Sequence, residues 1–176
     1  EIVRFIDRGG MGEVYEAQNL HFDERVAIKI ILPKWAKKPK VIDQFRSEAK
    51  ILTQLQNDAL VQYRNFLYDQ EFEVYCLVME FIPGENLADV LGTMKPGPNE
   101  ILAFLKRLAS GLKVAHDKGA IHRDLSPDNV ILKNDDLAQA KIIDFGIAKE
   151  VNEDGQAIER FTGKEGFAAP EQLGMH

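Results

Sequence analysis

The sequence has little of the chemistry that stabilises secreted proteins or anchors membrane proteins. Cys76 is the single cysteine among 176 residues, so no disulfide can form within the chain. It stands in the apolar run VYCLVMEF, which predicts a core position and a reducing compartment, and we expect a cytoplasmic protein. No apolar run approaches the roughly 20 residues that span a bilayer. The opening stretch, EIVRFIDRGG, also carries charges where a signal peptide is apolar.

An excess of basic charge is also missing. The chain has 22 Lys and Arg against 28 Asp and Glu, a formal net charge of −6. This balance argues against a nucleic-acid partner, because phosphate backbones are bound by excess Lys and Arg. One local exception, PKWAKKPK at residues 33–40, is interpreted as a solvated loop, with a docking patch as the alternative. The 45% of hydrophobic residues suffices to bury a globular core.

Hydrophobic periodicity divides the chain into two parts. Residues 1–32 contain short β-branched and aromatic runs, EVYEA and RVAIKII, which predict antiparallel strands. FEVYCLVMEFI predicts a buried strand that ends at PGEN, and NVILK and AKIID predict two short strands later in the chain. Two amphipathic helices are predicted from apolar residues at helical spacing, namely Val41, Phe45, Ala49, Leu52 and Leu55 in the first and Ile101, Leu105, Leu108, Leu112 and Ala115 in the second.

These patterns predict an α+β fold of two lobes. A small, mostly antiparallel β lobe with one helix would cover residues 1–82, and a mainly helical lobe would cover residues 83–176, with a hinge within residues 82–88. The chain begins without methionine and stops at EQLGMH, so we expect it to be an excerpt from a longer polypeptide.

Three features of the first part suggest phosphate chemistry. The loop DRGGMGEV places Gly9, Gly10 and Gly12 between strand-like flanks, where backbone N–H groups can point at phosphate oxygens. A plain hairpin turn is the alternative. Lys29 in VAIK lies on a predicted strand and Glu48 in FRSEAKIL on the first predicted helix, where an ion pair between them would aim the ammonium at a phosphate. Taken singly, a lysine on a strand or a glutamate on a helix is more often a solvated surface charge than a functional group.

The second part supplies oxygen ligands and a candidate base. HRDLSPDN contains Asp124 and, five residues later, Asn129, while IIDFG places Asp144 directly after an apolar strand. The oxygens of Asn129 and Asp144 suit magnesium, whose coordination is then completed by phosphates and water. Asp124 is left to accept a hydroxyl proton. Asp and Asn are common in turns, so the order of the motifs, more than any one residue, carries this interpretation.

Together these motifs resemble the protein kinases of the eukaryotic (Hanks) type. The Gly-rich loop, VAIK, the helix glutamate, HRDLxxxN, DFG and APE occur in the order typical of that family, from one end of the chain to the other. The resemblance implies a serine/threonine protein kinase that uses ATP and Mg²⁺ and acts on a protein substrate. Pro127 favours a kinase that acts on Ser or Thr over one that acts on Tyr, and the segment GGMGEVYEA favours a bacterial source. The alternative is a nucleotide-binding pseudokinase or inactive kinase fragment that acts as a scaffold.

The resemblance also implies a role for each matching residue. Asp124 would be the catalytic base, Lys29 would contact the α- and β-phosphates, and Glu48 would orient Lys29. Asn129 and Asp144 would hold magnesium. The nucleotide would contact the Gly-rich loop, the gatekeeper and the residues around the adenine: Gly9, Gly10, Gly12, Val14, Ala27, Met79, Glu80, Ile82 and Ile131.

Two departures from the family pattern affect charge around the phosphates. The first loop glycine is replaced by Asp7, which places a carboxylate near the polyphosphate. The lysine that such kinases carry two residues after the catalytic aspartate is Ser126, and Lys164 stands where they usually have a threonine. We hypothesise that Lys164 takes a catalytic role and supplies the missing cation. The alternative is that Lys164 is a surface charge and Ser126 a tolerated loss.

Two further departures concern regulation and stability. Thr162 is the single hydroxyl residue between residues 146 and 164, and Arg160 occupies the position where many relatives carry a phosphorylated threonine, which disfavours control through Thr162. The sequence stops soon after APE, without the further helices of the family, so Glu171 lacks its usual arginine partner. We therefore expect an exposed apolar face on the lower lobe.

Overall fold

The computed structural model describes residues 1–145, 164 and 166–173, apart from the side chains of residues 171 and 173. Its larger sheet is antiparallel and has five strands in the order β1-β2-β3-β5-β4. The strands are β1 (Ile2–Arg8), β2 (Gly12–Asn19), β3 (Glu24–Ile31), β4 (Tyr63–Asp69) and β5 (Val74–Glu80). The strands predicted from EVYEA, RVAIKII and FEVYCLVMEFI are confirmed as β2, β3 and β5, whereas β4 was not predicted.

The first long helix packs against this sheet. α2 (Pro39–Leu52) begins with a proline at its first turn, where the missing N–H costs nothing, and it buries Val41, Ile42, Phe45, Ala49 and Leu52. Leu55 lies beyond the end of the helix but is also buried. The resulting core lies between α2 and the sheet and includes Leu77 and Met79 of β5.

The basic segment at residues 33–40 is helical at six of its eight residues, so the predicted loop is wrong there. It forms α1 (Pro33–Ala36) and the start of α2. Lys34 and Lys38 lie over the Trp35 ring, at 5.1 and 5.2 Å from its centroid. The Trp35 indole N–H donates to the Gly10 carbonyl at 3.1 Å, so this segment supports the glycine-rich loop.

The second part of the chain contains a smaller sheet and the second long helix. β6 (Gly84–Asn86), β7 (Val130–Lys133) and β8 (Ala140–Ile142) form an antiparallel three-stranded sheet, and the last two confirm the strands predicted from NVILK and AKIID. The helices are α3 (Leu87–Val90) and α4 (Pro98–Asp117), with 3₁₀ turns at Pro127–Asn129, Leu137–Gln139 and Pro170–Leu173. In the described part of the chain, no helix is long and apolar enough to cross a membrane.

α4 packs closely at one end and leaves apolar residues exposed at the other. Gly111 lets the helix approach residues 59–60, because a Cβ there would lie 2.9 Å from the Leu60 side chain. Ala115 is fully buried, but Ile101 and Leu105 are 42% and 54% exposed. The helix predicted from the 3.6-residue period is confirmed, and it presents the exposed apolar face expected for the lower lobe.

Backbone and charge contacts join the two sheets. The Val61 N–H donates to the Ile142 carbonyl at 2.9 Å, and the Ile142 N–H donates to Ala59 at 2.8 Å. The Lys141 ammonium on β8 lies 2.7 Å from the Glu80 carboxylate at the end of β5, and both side chains are largely buried. Ile82 and Pro83 then connect β5 to β6, within the predicted hinge.

Cys76 occupies the core position expected from its apolar surroundings. The residue is buried in β5 and forms no disulfide. Burial raises the pKa of its thiol to about 11, so the group stays protonated and behaves as a small apolar side chain.

Candidate active site

A cleft of about 480 Å³ opens between the five-stranded sheet and the smaller sheet. One wall comes from β2 and β3 and the other from β7, while the end of β5 closes the back. Predicted nucleotide-binding residues that line the cleft are Val14, Ala27, Lys29, Met79, Glu80, Ile82 and Ile131. The predicted magnesium ligands Asn129 and Asp144 line it as well. The structure therefore gathers residues from distant motifs around one cavity with apolar walls and a polar end.

Lys29 is paired with Asp144 at the polar end of the cleft. The ammonium donates to Asp144 Oδ1, and the lysine side chain is 15% exposed while the aspartate is 44% exposed. Asp144 has a φ of +53°, a conformation that non-glycine residues rarely adopt. Such backbone strain is found most often at functional sites.

Glu48 is not brought into an ion pair with Lys29 in this conformation. Its Oε1 lies 3.7 Å from Arg123 Nη1 and accepts from Gln44 Nε2 at 3.2 Å. Its predicted role in orienting Lys29 therefore stays a prediction and requires Glu48 to leave Arg123. Sequence spacing could not anticipate this choice of partner, because Lys29 on β3 and Arg123 on the catalytic loop are both distant from Glu48 in the sequence.

The loop that carries Asp124 is held by hydrogen bonds from its own neighbours. Asn129 Nδ2 donates to the Asp124 carbonyl at 2.7 Å and to its carboxylate at 3.3 Å. The Asp124 N–H contacts His122 Nδ1 at 3.3 Å, and His122 Nε2 contacts the Ile143 carbonyl at 2.8 Å. Asp124 and Asn129 are thus fixed relative to each other, while His122, a base candidate by residue type, is buried and structural.

The environment of His122 favours its neutral form. Burial lowers its pKa below the ordinary value, and the ring packs against Phe145 at 4.7 Å between centroids. With Nδ1 accepting from Asp124 and Nε2 donating to Ile143, the neutral ring satisfies both contacts. The His122 ring therefore positions the segments that carry Asp124 and Asp144 rather than exchanging protons with a substrate.

Tyr63 adds a support that sequence reasoning missed. This residue of β4 is buried, and its hydroxyl accepts from the Phe145 N–H at 3.2 Å. Burial raises the pKa of the phenol, so the hydroxyl stays protonated. β4 had no recognisable period, and no sequence signal pointed to Tyr63.

Lys164 lies against the catalytic loop, as the hypothesis about Ser126 requires. Its ammonium is 2.5 Å from Asp128 Oδ2, and the Ser126 hydroxyl contacts the same oxygen at 3.4 Å. The hydrogen bond from Lys164 lowers the pKa of Asp128. Asp128 also lines the cleft, a position that sequence reasoning did not assign although it directly precedes Asn129.

The glycine-rich loop has the close approach that glycine permits. The Gly9 N–H donates to the Gly12 carbonyl at 2.9 Å. A Cβ on Gly12 would lie 2.5 Å from the Ile30 carbonyl oxygen, whereas Gly10 has open space around it. Gly12 is therefore required by strand packing, and Asp7 lines the cleft at the end of β1.

Some predicted positions cannot be located. Thr162 and Arg160 lie outside the described residues, and so does the side chain of Glu171.

The geometry agrees with the comparison to known families. A sequence model described as "Protein kinase domain" matches residues 1–176. The chain belongs to the protein kinase domain family. This kinase domain is 38% identical to the serine/threonine-protein kinase pkn2 of Myxococcus xanthus, over 97% of this chain and 21% of that protein. It is 34% identical to the serine/threonine-protein kinase PrkC of Bacillus subtilis, over 84% of this chain and 22% of that protein.

Solved structures show the same fold. A structure of Rad53 residues 1–466 in complex with AMP-PNP superposes with a TM-score of 0.78 and 27% identity, covering 99% of this chain and 42% of that one. The PknI kinase domain of Mycobacterium tuberculosis superposes with a TM-score of 0.68 and 25% identity, covering 84% of this chain and 59% of that one. The predicted α+β kinase fold is thus confirmed. The kinase domain spans less than a quarter of the two curated relatives named above.

Proposed function

We propose that this chain is the catalytic domain of a serine/threonine protein kinase that transfers the γ-phosphoryl group of ATP to protein hydroxyls. The observation that carries the proposal is the cleft itself, where Lys29, Asp144 and Asn129 share one polar end and Asn129 also holds Asp124. The named relatives, which are serine/threonine-protein kinases, support the choice of substrate class. The division into lobes at residue 82 is part of this proposal.

ATP would fill the cleft with its adenine toward the end of β5. Val14 and Ala27 would face one side of the ring and Ile131 the other. The Glu80 N–H is used by Gln62 and its carboxylate by Lys141, which leaves the Glu80 carbonyl to meet the adenine, beside Ile82. The triphosphate would lie under Gly9, Gly10 and Gly12, with Lys29 turned toward the α- and β-phosphates.

The donor set suits magnesium bound together with phosphates. Among the described residues, no group of three or more His, Cys, Asp or Glu side chains could hold a metal alone. Asn129 and Asp144 supply two oxygen ligands, and phosphates and water complete the shell in nucleotide sites of this kind. Bound there, Mg²⁺ would neutralise charge on the β- and γ-phosphates.

The chain's own residues would then position the acceptor and take its proton. Asp124 is held by Asn129, which lines the cleft, and by the backbone contact to His122, so its carboxylate is fixed beside Asn129. The acceptor Ser or Thr oxygen bonds to the γ-phosphorus as the bond to the β-phosphate oxygen breaks. The hydroxyl proton passes to Asp124 and ADP leaves.

Transfer of labelled phosphate tests the proposal. The full-length protein is incubated with γ-labelled ATP, magnesium and a generic basic protein, and we expect label on Ser or Thr. Asp124→Asn should reduce the rate by orders of magnitude while nucleotide still binds, because the amide cannot accept the proton. Asp117→Asn on α4, where Asp117 is exposed and paired with Lys113, is the matched control. Nucleotide binding without transfer by the unchanged protein would instead show a scaffold.

A further inference from the structure

The loop beside the transferred phosphoryl group carries no cation of its own. Residues 124–129 contribute the carboxylates of Asp124 and Asp128, and Ser126 between them is buried and uncharged. Asp144 adds a third carboxylate at the same end of the cleft. With Asp144 assigned to magnesium and Lys29 to the α- and β-phosphates, Asp124 and Asp128 leave negative charge on the acceptor side, and a cation there would offset it during transfer.

The basic side chains before and above this loop are engaged elsewhere. Lys29 approaches from the five-stranded sheet and contacts Asp144. Arg123 has a φ of +65°, and its guanidinium lies 3.7 Å from Glu48 on α2. Among the described residues, neither side chain forms a hydrogen bond or ion pair with Ser126 or Asp128.

Lys164 reaches this place from a segment far along the chain. Its ammonium and the Ser126 hydroxyl meet the same oxygen of Asp128, at 2.5 Å and 3.4 Å. A lysine at position 126 would project into the same neighbourhood, since the two side chains share this contact. Lys164 therefore brings positive charge to the side of the loop where residue 126 has none.

Two hydrogen bonds lie within the Lys164 segment, and a third ties the segment to the catalytic loop. The Lys164 carbonyl accepts from the N–H groups of Phe167 and Ala168, at 3.0 and 3.2 Å, which closes a turn after the lysine. Gln172 Nε2 donates to the Arg123 carbonyl at 2.7 Å and so ties the end of the segment to the start of the catalytic loop. The Lys164 ammonium therefore lies on a segment that contacts the catalytic loop at both Asp128 and Arg123.

We propose that Lys164 is a catalytic residue, whose ammonium leaves Asp128 to contact the γ-phosphoryl group and neutralises its charge during transfer. The inference rests on the proposed kinase activity. The γ-phosphorus exchanges its bond to the β-phosphate oxygen for one to the acceptor oxygen, and the acceptor proton goes to Asp124. Lys164 keeps all its protons and contributes charge alone.

The pairing with Asp128 is suited to such an exchange. Lys164 is 51% exposed and Asp128 is 43% exposed, and exposed ion pairs of this kind contribute little net stability. Moving the ammonium from a half-exposed carboxylate to a phosphate therefore costs little. Asp128 acts as the resting position that keeps the ammonium at the cleft.

A charge-relocation experiment in the full-length protein tests the proposal. Lys164→Thr should lower kcat for labelled phosphate transfer by about a hundredfold or more, with the KM for ATP changed by about twofold at most. Adding Ser126→Lys to Lys164→Thr should recover about a tenth or more of the original kcat, because the cation returns from the loop itself. Asp128→Asn keeps the Lys164 ammonium and an oxygen that can accept from it, so this variant should lose much less activity than Lys164→Thr.

A purely structural tether gives the opposite pattern. In that case Lys164→Thr and Asp128→Asn lose activity equally, and Ser126→Lys rescues nothing, which would overturn the proposal. A Lys164→Thr variant with full activity would overturn it too, while transfer by the unchanged protein would leave the kinase function standing. If the unchanged protein transfers no phosphate, both proposals fail together.

Discussion

The two long helices, α2 and α4, carry apolar residues at the same spacing but use them differently. On α2, Phe45 is 3% exposed and packs between the helix and the five-stranded sheet. On α4, Leu105 is 54% exposed, although Gly111 and Ala115 farther along the helix are buried. Periodicity thus identifies a helix and its apolar face but not the surface that face meets.

The same contrast holds for the parts of the chain that the helices belong to. The part before residue 81 supplies most of the larger core, which also takes in Ile142 and Phe145, whereas the later part forms a smaller core around Val130, Leu132 and Ala140. The proposed catalytic groups come from both parts. Lys29 comes from the first part, and Asp124, Asn129 and Asp144 come from the second.

Breaking the contact between Lys29 and Asp144, which joins the two parts at the cleft, should have the largest effect on phosphate transfer. Asp144→Ala removes the partner of Lys29 and a proposed magnesium ligand, so phosphate transfer should fall by about a hundredfold or more. Stability should change by less than about 1 kcal/mol, because the Asp144 side chain is almost half exposed. Labelled transfer and urea denaturation of the same preparations measure the two effects.

The exposed Asp43 on α2 offers a matched control, since Asp43→Ala removes the same kind of charge outside the cleft. Near-normal turnover by Asp144→Ala would contradict the kinase proposal.

Truncating one apolar residue on each helix should sharpen the contrast between them. Phe45→Ala leaves a cavity in the core and should lower the free energy of unfolding by about 3–5 kcal/mol. Leu105→Ala removes an exposed side chain and should stay within about 0.5 kcal/mol. Urea denaturation of the two variants measures the difference. An equal loss from Leu105→Ala would show that its face of α4 is covered in solution.

Motif residues were predictable because their neighbours in sequence also set their local structure. β2, β3 and α2 have strong periods, and they place Val14, Lys29 and Glu48 on the elements expected. β4 escaped prediction because its exposed and buried residues follow no period. Tyr63, at its start, therefore remained invisible as the partner of Phe145.

The partners of charged side chains were harder to predict than the elements on which those side chains lie. Lys29 was expected to meet Glu48, yet both have other partners here. Several opposite charges converge at one end of the cleft, so the pairing depends on side-chain conformations that no spacing encodes. The neighbourhood of Ser126 and Lys164 was anticipated from their paired departures from a known pattern, while their shared contact with Asp128 was not.

Acidification should lower the free energy of unfolding through His122, which contacts the backbone of Asp124 and Ile143. Burial depresses its folded pKa, so protonation favours the unfolded state. The stability linked to the neutral ring should be complete above the unfolded pKa of about 6.5 and should decline as the pH falls below it. The free energy of unfolding from urea denaturation should be lower at pH 5.5 than at pH 7.5, and this loss should be smaller in His122→Gln, whose side chain does not titrate.

The exposed His21, in the turn between β2 and β3, supplies the control for this measurement. His21→Gln should keep the pH dependence of the unchanged protein. A stability loss between the two pH values that is as large in His122→Gln would assign the effect to other groups.

The smallest expected effect is on ATP binding and concerns Asp7, a residue of β1 that lines the cleft. Its carboxylate accepts from the Arg8 N–H at 2.7 Å, and the residue is exposed. A carboxylate near the triphosphate repels it, but solvent screens the interaction, so Asp7→Gly should tighten ATP binding by about 1 kcal/mol or less.

Asp7→Asn removes the charge and keeps the side-chain size, so an equal gain would assign the effect to charge rather than to loop flexibility. The gain should shrink when salt is raised from about 0.01 M to 1 M, since the screening length falls about tenfold. A dissociation constant for ATP that is unchanged at low salt would show that Asp7 points away from the phosphates.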